Sequence, residues 1–195
     1  MNILYWNIRG IANTPSRLAL QRLILVNKPD FIFIAEPWIN YDRFPQNWFH
    51  RLGYKLFACN TRHNNFPNLW CICSSYLDPT IVANTDQHVS LTFTHNSTTF
   101  GLSAVYASTC YLHRRLLWND LINCHNQFPI PWCTIGDFNA IIDSHEHRGA
   151  TPLPLFLWLS FLNGPTMIVT FILPPEAHNL PGPMVGMAED TQRKG

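Results

Sequence analysis

Short apolar runs recur along this chain, and several of them break off into a polar residue. Ile3-Leu4-Tyr5-Trp6 passes into Asn7-Ile8-Arg9-Gly10, and Phe31-Ile32-Phe33-Ile34-Ala35 passes into Glu36-Pro37. Runs of this length, apolar on both faces, predict buried strands over 2–7 and 30–35. Between them Leu18, Leu20, Leu23, Ile24 and Val26 recur at broadly helical spacing. Thr14-Pro15 supplies a cap and a first-turn proline, and Lys28-Pro29 sets the stop, because the residue before a proline is pushed out of the helical region. Strand, helix and strand within about thirty residues make a βαβ-like unit. Its two strand exits, at Asn7 and Glu36, then face one edge.

The middle of the chain is more β-like. Strands are predicted over 54–59, 69–74, 81–83, 89–94 and 99–106, with a polar loop over 60–68 and a hairpin turning through Asn96-Ser97. Leu116, Leu117, Asp120, Leu121 and Cys124 mark a helix over 113–125, which Pro129 and Pro131 end. Trp132-Cys133-Thr134-Ile135-Gly136 then predicts one more strand, closing in Asp137-Phe138-Asn139. A strand repeats its side-chain direction every second residue, so Asp137 and Asn139 would leave it on the same side. Gly136 removes bulk where the backbone must bend or approach a ligand. A carboxylate and a carboxamide held together at the lip of a sheet suit the positioning of a water or metal against a phosphate. The plainer alternative is an Asx-turn at a strand end, a common place for both residue types.

Composition narrows the class. The chain has 195 residues, 47% hydrophobic and only 13% charged, which fits one globular domain with a substantial core and excludes a disordered chain. The net charge of +1 gives no electrostatic argument for nucleic acid and leaves room for a locally basic groove. The N-terminal residues Met1 to Trp6 lack the basic and long apolar regions of a signal peptide, so Cys59, Cys71, Cys73, Cys110, Cys124 and Cys133 are expected to be reduced core residues. Cys71-Ile72-Cys73 has no second Cys/His pair at zinc-site spacing. No run reaches the ~18 apolar residues of a membrane span. His113 and His145 read as surface histidines.

Polar groups therefore stand at four strand exits: Asn7, Glu36, Tyr106 with Ser108, and Asp137 with Asn139. The motifs Leu4-Tyr5-Trp6-Asn7-Ile8-Arg9-Gly10, Ala35-Glu36-Pro37, Val105-Tyr106-Ala107-Ser108 and Ile135-Gly136-Asp137-Phe138-Asn139-Ala140 resemble those of the endonuclease/exonuclease/phosphatase (DNase I-like) family. Trp6-Asn7-Ile8-Arg9-Gly10, Glu36-Pro37, Arg114-Arg115, Leu117-Trp118 and Glu146-His147-Arg148-Gly149 are most similar to the endonuclease domain of plant LINE-type non-LTR retrotransposons. The resemblance implies an α/β fold, a four-layer α/β sandwich of two packed mixed β-sheets flanked by helices. It implies hydrolysis of DNA phosphodiesters assisted by Mg²⁺ or Mn²⁺, in a monomer, inside the cell and in the nucleus. It assigns Glu36 as metal ligand and Asn7 as a support for the metal or a phosphate oxygen. Tyr106 contacts the phosphate, Asp137 orients or deprotonates the attacking water, and Asn139 stabilises charge on the phosphorane. Taken singly, Glu36 reads as an exposed loop acid, Tyr106 as a half-buried strand tyrosine and Asn7 as an amide closing a turn.

The family pattern ends with an Asp and a Ser-Asp-His motif, whose histidine is the general acid or base. Neither motif stands here: after Asp143 the sequence has only Asp190, and His145, His147 and His178 follow no aspartate directly. The fold is thus expected to be C-terminally incomplete, with a family-like domain over 1–155 and an aberrant tail over 156–195. Back-translated and read in another frame, residues 161–195 can encode a Phe-Thr-Trp-Ser-Asn-Gly hairpin of the LINE type, which points to a frameshift near 155–161. The sequence thus reads as a divalent-metal-dependent endonuclease fragment, inactive without its histidine. The rivals are a phosphatase of the same fold and a non-catalytic nucleic-acid-binding remnant.

Overall fold

A computed structural model describes residues 1–60 and 66–139. Along the chain come β1 (Ile3–Asn7), α1 (Thr14–Asn27), β2 (Phe31–Ala35), a 3-10 turn (Tyr41–Arg43), α2 (Gln46–Arg51), β3 (Tyr54–Cys59) and β4 (Leu69–Ser74). They are followed by β5 (Thr80–Asn84), β6 (His88–His95), β7 (Thr98–Tyr106), α3 (Tyr111–Gln127) and β8 (Trp132–Asp137). The first sheet has the order β1-β2-β4-β3 and the second β5-β6-β7-β8. Both are mixed. Each holds one parallel pair, β1 with β2 and β7 with β8, and antiparallel neighbours otherwise. Parallel neighbours need a crossover, and α1 and α3 supply the two crossovers.

Alternation along the strands sorts side chains into layers. Tyr5, Phe31, Phe33, Cys71 and Cys73 of the first sheet meet Val89, Leu91, Phe93, Leu102, Ala104 and Ile135 of the second. Phe31 and Phe93 cross that seam with ring centroids 5.0 Å apart. The opposite side chains of the first sheet, Leu4, Trp6, Ile32, Ile34, Trp70 and Ile72, pack on Leu20 and Ile24 of α1 and Phe49 of α2. Val105 and Ala107 pack on Leu117 and Leu121 of α3. The order helix, sheet, sheet, helix is the four-layer sandwich expected from the motifs. Strand β2 is buried along its whole length, which is why it reads as an unbroken apolar run.

Several local expectations shift. The cap of α1 is Asn13, whose Oδ1 accepts the Ser16 N–H at 2.8 Å, and Thr14 is the first helical residue. Helix α3 starts two residues ahead of the expected His113 and runs on to Gln127. Helix α2 is too short to show a period in sequence. It exists because Phe49 is fully buried against Phe44, which in turn packs on Trp70 with centroids 4.8 Å apart. The hairpin turns through Asn96 and Ser97, both at positive φ, the conformation that matches the twist of its strands. The six cysteines are free; Cys71, Cys73 and Cys124 are buried as expected, whereas Cys110 is exposed. No helix among the described residues is long and apolar enough to cross a membrane. The boundary at 155, the tail over 156–195 and His145 lie outside the described residues.

Two features of the second sheet constrain it. Gly136 lies opposite Val105 at φ +155, and a Cβ there would stand 2.0 Å from the Val105 carbonyl oxygen. Between this sheet and α3 runs a buried polar string. His88 Nδ1 lies 3.0 Å from Ser90 Oγ, which lies 2.7 Å from Ser103 Oγ, while Asp120 Oδ2 is 3.8 Å from His88 Nε2. Burial pushes the His88 proton affinity down, against the opposing pull of Asp120 and Asp86.

Gly136→Ala is therefore expected to cost at least about 2 kcal/mol in urea unfolding, because neither the carbonyl nor the φ can be relieved locally. The His88 shift sets a pH dependence. The unfolded histidine takes up its proton near pH 6.5, and the folded one only at lower pH. Stability is thus held above that value and lost as the pH falls below it, by at most about 1.4 kcal/mol per pH unit for one histidine. Urea midpoints measured between pH 7.5 and 5 should show that decline, and His88→Gln should flatten it; His125, also shifted down by burial, leaves a residual slope.

Candidate active site

The parallel pair β1–β2 places Asn7 opposite Ala35, immediately before Glu36. Beyond the strands the two loops stay zipped: the Ile8, Gly10 and Ile11 N–H groups donate to the carbonyls of Ala35, Glu36 and Pro37 at 3.0, 2.8 and 3.0 Å. Glu36 itself sits at φ +51, a left-handed conformation that costs a non-glycine residue roughly 1–3 kcal/mol. Its N–H donates to the Asn68 carbonyl at 2.8 Å, so its peptide is held from both sides. Asn60 in turn fixes Asn68. Its Oδ1 accepts from the Asn68 and Leu69 N–H groups at 3.0 and 2.9 Å, and its Nδ2 donates to the Asp86 carbonyl at 2.8 Å. Asn60 is 2% exposed and links the first sheet to the turn before β6.

The second pair of exits repeats the plan. Strand register sets Tyr106 opposite Asp137, and the Ala107 N–H continues the ladder to the Asp137 carbonyl at 2.8 Å. Buried Gln87 holds the β7 exit. Its carbonyl accepts the Tyr106 N–H at 2.8 Å, and its side chain accepts from the Ser108 N–H at 2.8 Å and donates to the His113 carbonyl at 3.0 Å. Beneath the exits Tyr5 reaches from β1 across to the second sheet and donates to the Val105 carbonyl at 2.8 Å. Burial raises its hydroxyl pKa well above the ordinary value, so it stays a neutral donor.

The two pairs of exits converge on one amide. Asn7 Nδ2 donates to Glu36 Oε1 at 2.8 Å and reaches Asp137 Oδ2 at 3.5 Å. The Tyr106 hydroxyl donates to the same Glu36 Oε1 at 2.7 Å. All four side chains are half-buried. Two carboxylates, one from each sheet, thus share one carboxamide, and a phenol stands beside them. Asn7 Oδ1 is buried and without a hydrogen-bond partner among the described residues.

Asn139 reaches the group by a different route from the one its spacing suggests. Strand β8 ends at Asp137, so the two-residue period does not extend to Asn139. Instead Asn139 takes φ +46, and its N–H donates to Asp137 Oδ1 at 3.0 Å, an Asx-turn. Its Nδ2 donates to the Ala107 carbonyl at 2.7 Å, so in this arrangement it braces Asp137 and the β7 exit. Ser108 stands apart: its Oγ accepts the Cys110 N–H at 3.1 Å at the start of α3. His113 is half-exposed with its Nε2 3.4 Å from Asp86. In the sequence Asn60 and Gln87 look like ordinary loop residues, and nothing in their neighbours signals these bonds.

The donor set fits a hard divalent cation. Mg²⁺ takes oxygen ligands, commonly one or two carboxylates with the rest from water or phosphate. Glu36 and Asp137 supply the carboxylates, and the unpartnered Asn7 Oδ1 is a third oxygen close by. No group of three or more acidic, histidine or cysteine side chains stands together among the described residues, so any such centre rests on this smaller set.

Comparison with known proteins agrees with this architecture. A 3′ phosphatase, NExo, from Neisseria, solved with a product DNA hairpin, is 15% identical with a TM-score of 0.56, covering 74% of this chain and 60% of that one. The endonuclease domain of TRAS1, a telomere-specific non-LTR retrotransposon, is 16% identical with a TM-score of 0.54, covering 71% and 59%. An endonuclease/exonuclease/phosphatase family protein from Leptotrichia buccalis is 15% identical with a TM-score of 0.52, covering 83% and 72%. The likeness is one of fold, and the aligned part spans about three fifths of the first two proteins' length. No curated protein matches the sequence. The family described as Endonuclease/Exonuclease/phosphatase matches residues 4–184, and with a match over most of its length the chain belongs to that family.

Proposed function

We propose that this chain carries the metal- and phosphate-binding half of a divalent-metal-dependent phosphodiesterase that nicks DNA, and that it completes hydrolysis poorly by itself. The observation that carries the reading is the shared amide of Asn7 between Glu36 and Asp137, with Tyr106 on Glu36. Two carboxylates gathered on one carboxamide offer the anionic oxygens that a divalent cation takes. Glu36 and the Asn7 carboxamide oxygen would hold Mg²⁺ or Mn²⁺. When bound, the ion would neutralise charge developing on the phosphate. The Tyr106 hydroxyl would donate to a phosphate oxygen in place of Glu36. Asp137, braced by the Asn139 N–H, would orient or deprotonate the attacking water. Asn139 would stabilise the phosphorane only after releasing the Ala107 carbonyl.

The leaving oxygen needs a proton, and the sequence holds no Ser-Asp-His motif to supply it. Loss of a positioned general acid lowers the rate by about 10²–10⁴-fold. We attribute the missing motif to a shift of reading frame near 155–161, leaving residues 156–195 as an aberrant tail. Coding DNA downstream of Ser160 tests this directly, and codons that forbid the shifted reading would overturn it. Acting as a retroelement endonuclease of the plant LINE type, this chain would meet its DNA substrate in the nucleus.

Titration with Mn²⁺, followed by calorimetry or paramagnetic resonance, should show binding that Glu36→Gln weakens at least about 10-fold, since a charged ligand is lost. Equal binding by both proteins would remove Glu36 from the site. Nicking of supercoiled plasmid in Mg²⁺ should run about 100-fold or more below that of a family member with the Ser-Asp-His motif. Whatever nicking remains should vanish in Asp137→Ala. Strong nicking abolished by that substitution would show that a complete centre forms without the motif.

A further inference from the structure

Trp38 is 57% exposed and lies two residues beyond Glu36, so its Cα is within about 7 Å of the Glu36 Cα. Its φ is +54, a left-handed conformation that bulky residues rarely adopt. A strained backbone is usually maintained by what the side chain buries, and most of this indole is in solvent. The strain falls beside the candidate active site, where such outliers concentrate.

The indole is nevertheless seated. A Cβ on Gly10 would meet Trp38 Cε3 at 3.1 Å, so one region of the ring lies against the bare Cα of that glycine. Gly10 is at φ +104, and its N–H is the one that donates to the Glu36 carbonyl. Ile11 N–H donates to the Pro37 carbonyl in the same zipper. The ring thus rests on the β1 exit loop, which is itself zipped to the loop that carries Glu36. Arg9, exposed and also left-handed at φ +48, directly precedes that glycine in the chain. A seated, solvent-facing indole two residues from Glu36 has the chemistry of a nucleobase platform, because every base presents a π-face on which an aromatic ring can stack.

We propose that Trp38 is a stacking site for a nucleobase flanking the bound phosphodiester, with Gly10 as its seat. The inference rests on the preceding reading of the Glu36 site as a phosphodiester centre, and it specifies the substrate as a base-bearing DNA strand. A sugar phosphate or other small phosphate ester would make no use of the indole.

The test measures binding of the full chain to a fluorescent single-stranded deoxyoligonucleotide, and to the same backbone with every base removed. Trp38→Leu should weaken binding of the base-bearing strand by about 5- to 100-fold, the range of one lost base stack, and Trp38→Phe should retain most of it. Binding of the abasic strand should be the same for all three proteins. Equal affinity of Trp38→Leu and the parent chain for the base-bearing strand would overturn the proposal. So would a loss of the same size on the abasic strand, or a Trp38→Phe protein as weak as Trp38→Leu. Manganese titration of Trp38→Leu separates the two readings: it should match the parent chain, so a failed stack leaves the Glu36 site standing, whereas absent manganese binding in the parent chain removes that site whatever the oligonucleotide result.

Discussion

The candidate site depends on two parallel strand pairs opening at the same place. One pair belongs to each sheet, and each is forced to be parallel by a helical crossover. Parallel pairing sends both exits of a unit to one edge. The interleaved core of Phe31, Phe33, Phe93 and Leu91 then fixes how the two edges meet. Only in that arrangement can Asn7 from the first sheet stand between Glu36 on its own sheet and Asp137 on the other. A slip of one residue in β1 would turn Asn7 toward the opposite face and dissolve the group.

Support for the site comes from buried amides rather than from charge. Asn60 and Gln87 are both almost fully buried, and each satisfies several backbone groups at once. Removing such a side chain would orphan carbonyls and N–H groups that are buried or partly buried, at up to roughly 1–3 kcal/mol for each orphan. They also set direction. Asn60 holds Asn68, whose carbonyl holds the Glu36 N–H, and Gln87 holds the backbone of Tyr106. The left-handed turn at Glu36 persists because these bonds over-determine it. Tyr5 completes the support from below by donating to the carbonyl that also excludes any side chain from position 136.

Much of the fold is legible from local pattern. The strands at 3–7 and 31–35 and helix α1 follow from apolar runs, a proline at the first turn and a stop at Lys28-Pro29. Helix α2 is not legible, because six residues show no period and the helix is held by Phe49 stacking on Phe44, which packs on Trp70. For the site, Asn7, Glu36, Tyr106 and Asp137 stand out because each terminates a strand. Asn139 was reached by spacing and is held by something else, an Asx-turn after the strand has ended. Trp38 is not legible as a site residue, since neither its exposure nor its positive φ leaves a mark in the amino-acid order.

The sequence by itself determined which segments are strands, their ends to within a residue or two, and which polar residues stand near those ends. Those are local properties, set by side-chain period, by the steric limits of proline and by the bulk missing at Gly136. Tertiary structure decided that four separate ends form one group, that Asn7 is shared between two carboxylates, and that Asn60 and Gln87 hold them. Residues 7 and 137 are brought together by sheet pairing and by the packing of one sheet on another. That association is a sum of many weak apolar contacts between distant segments, and no single residue encodes it.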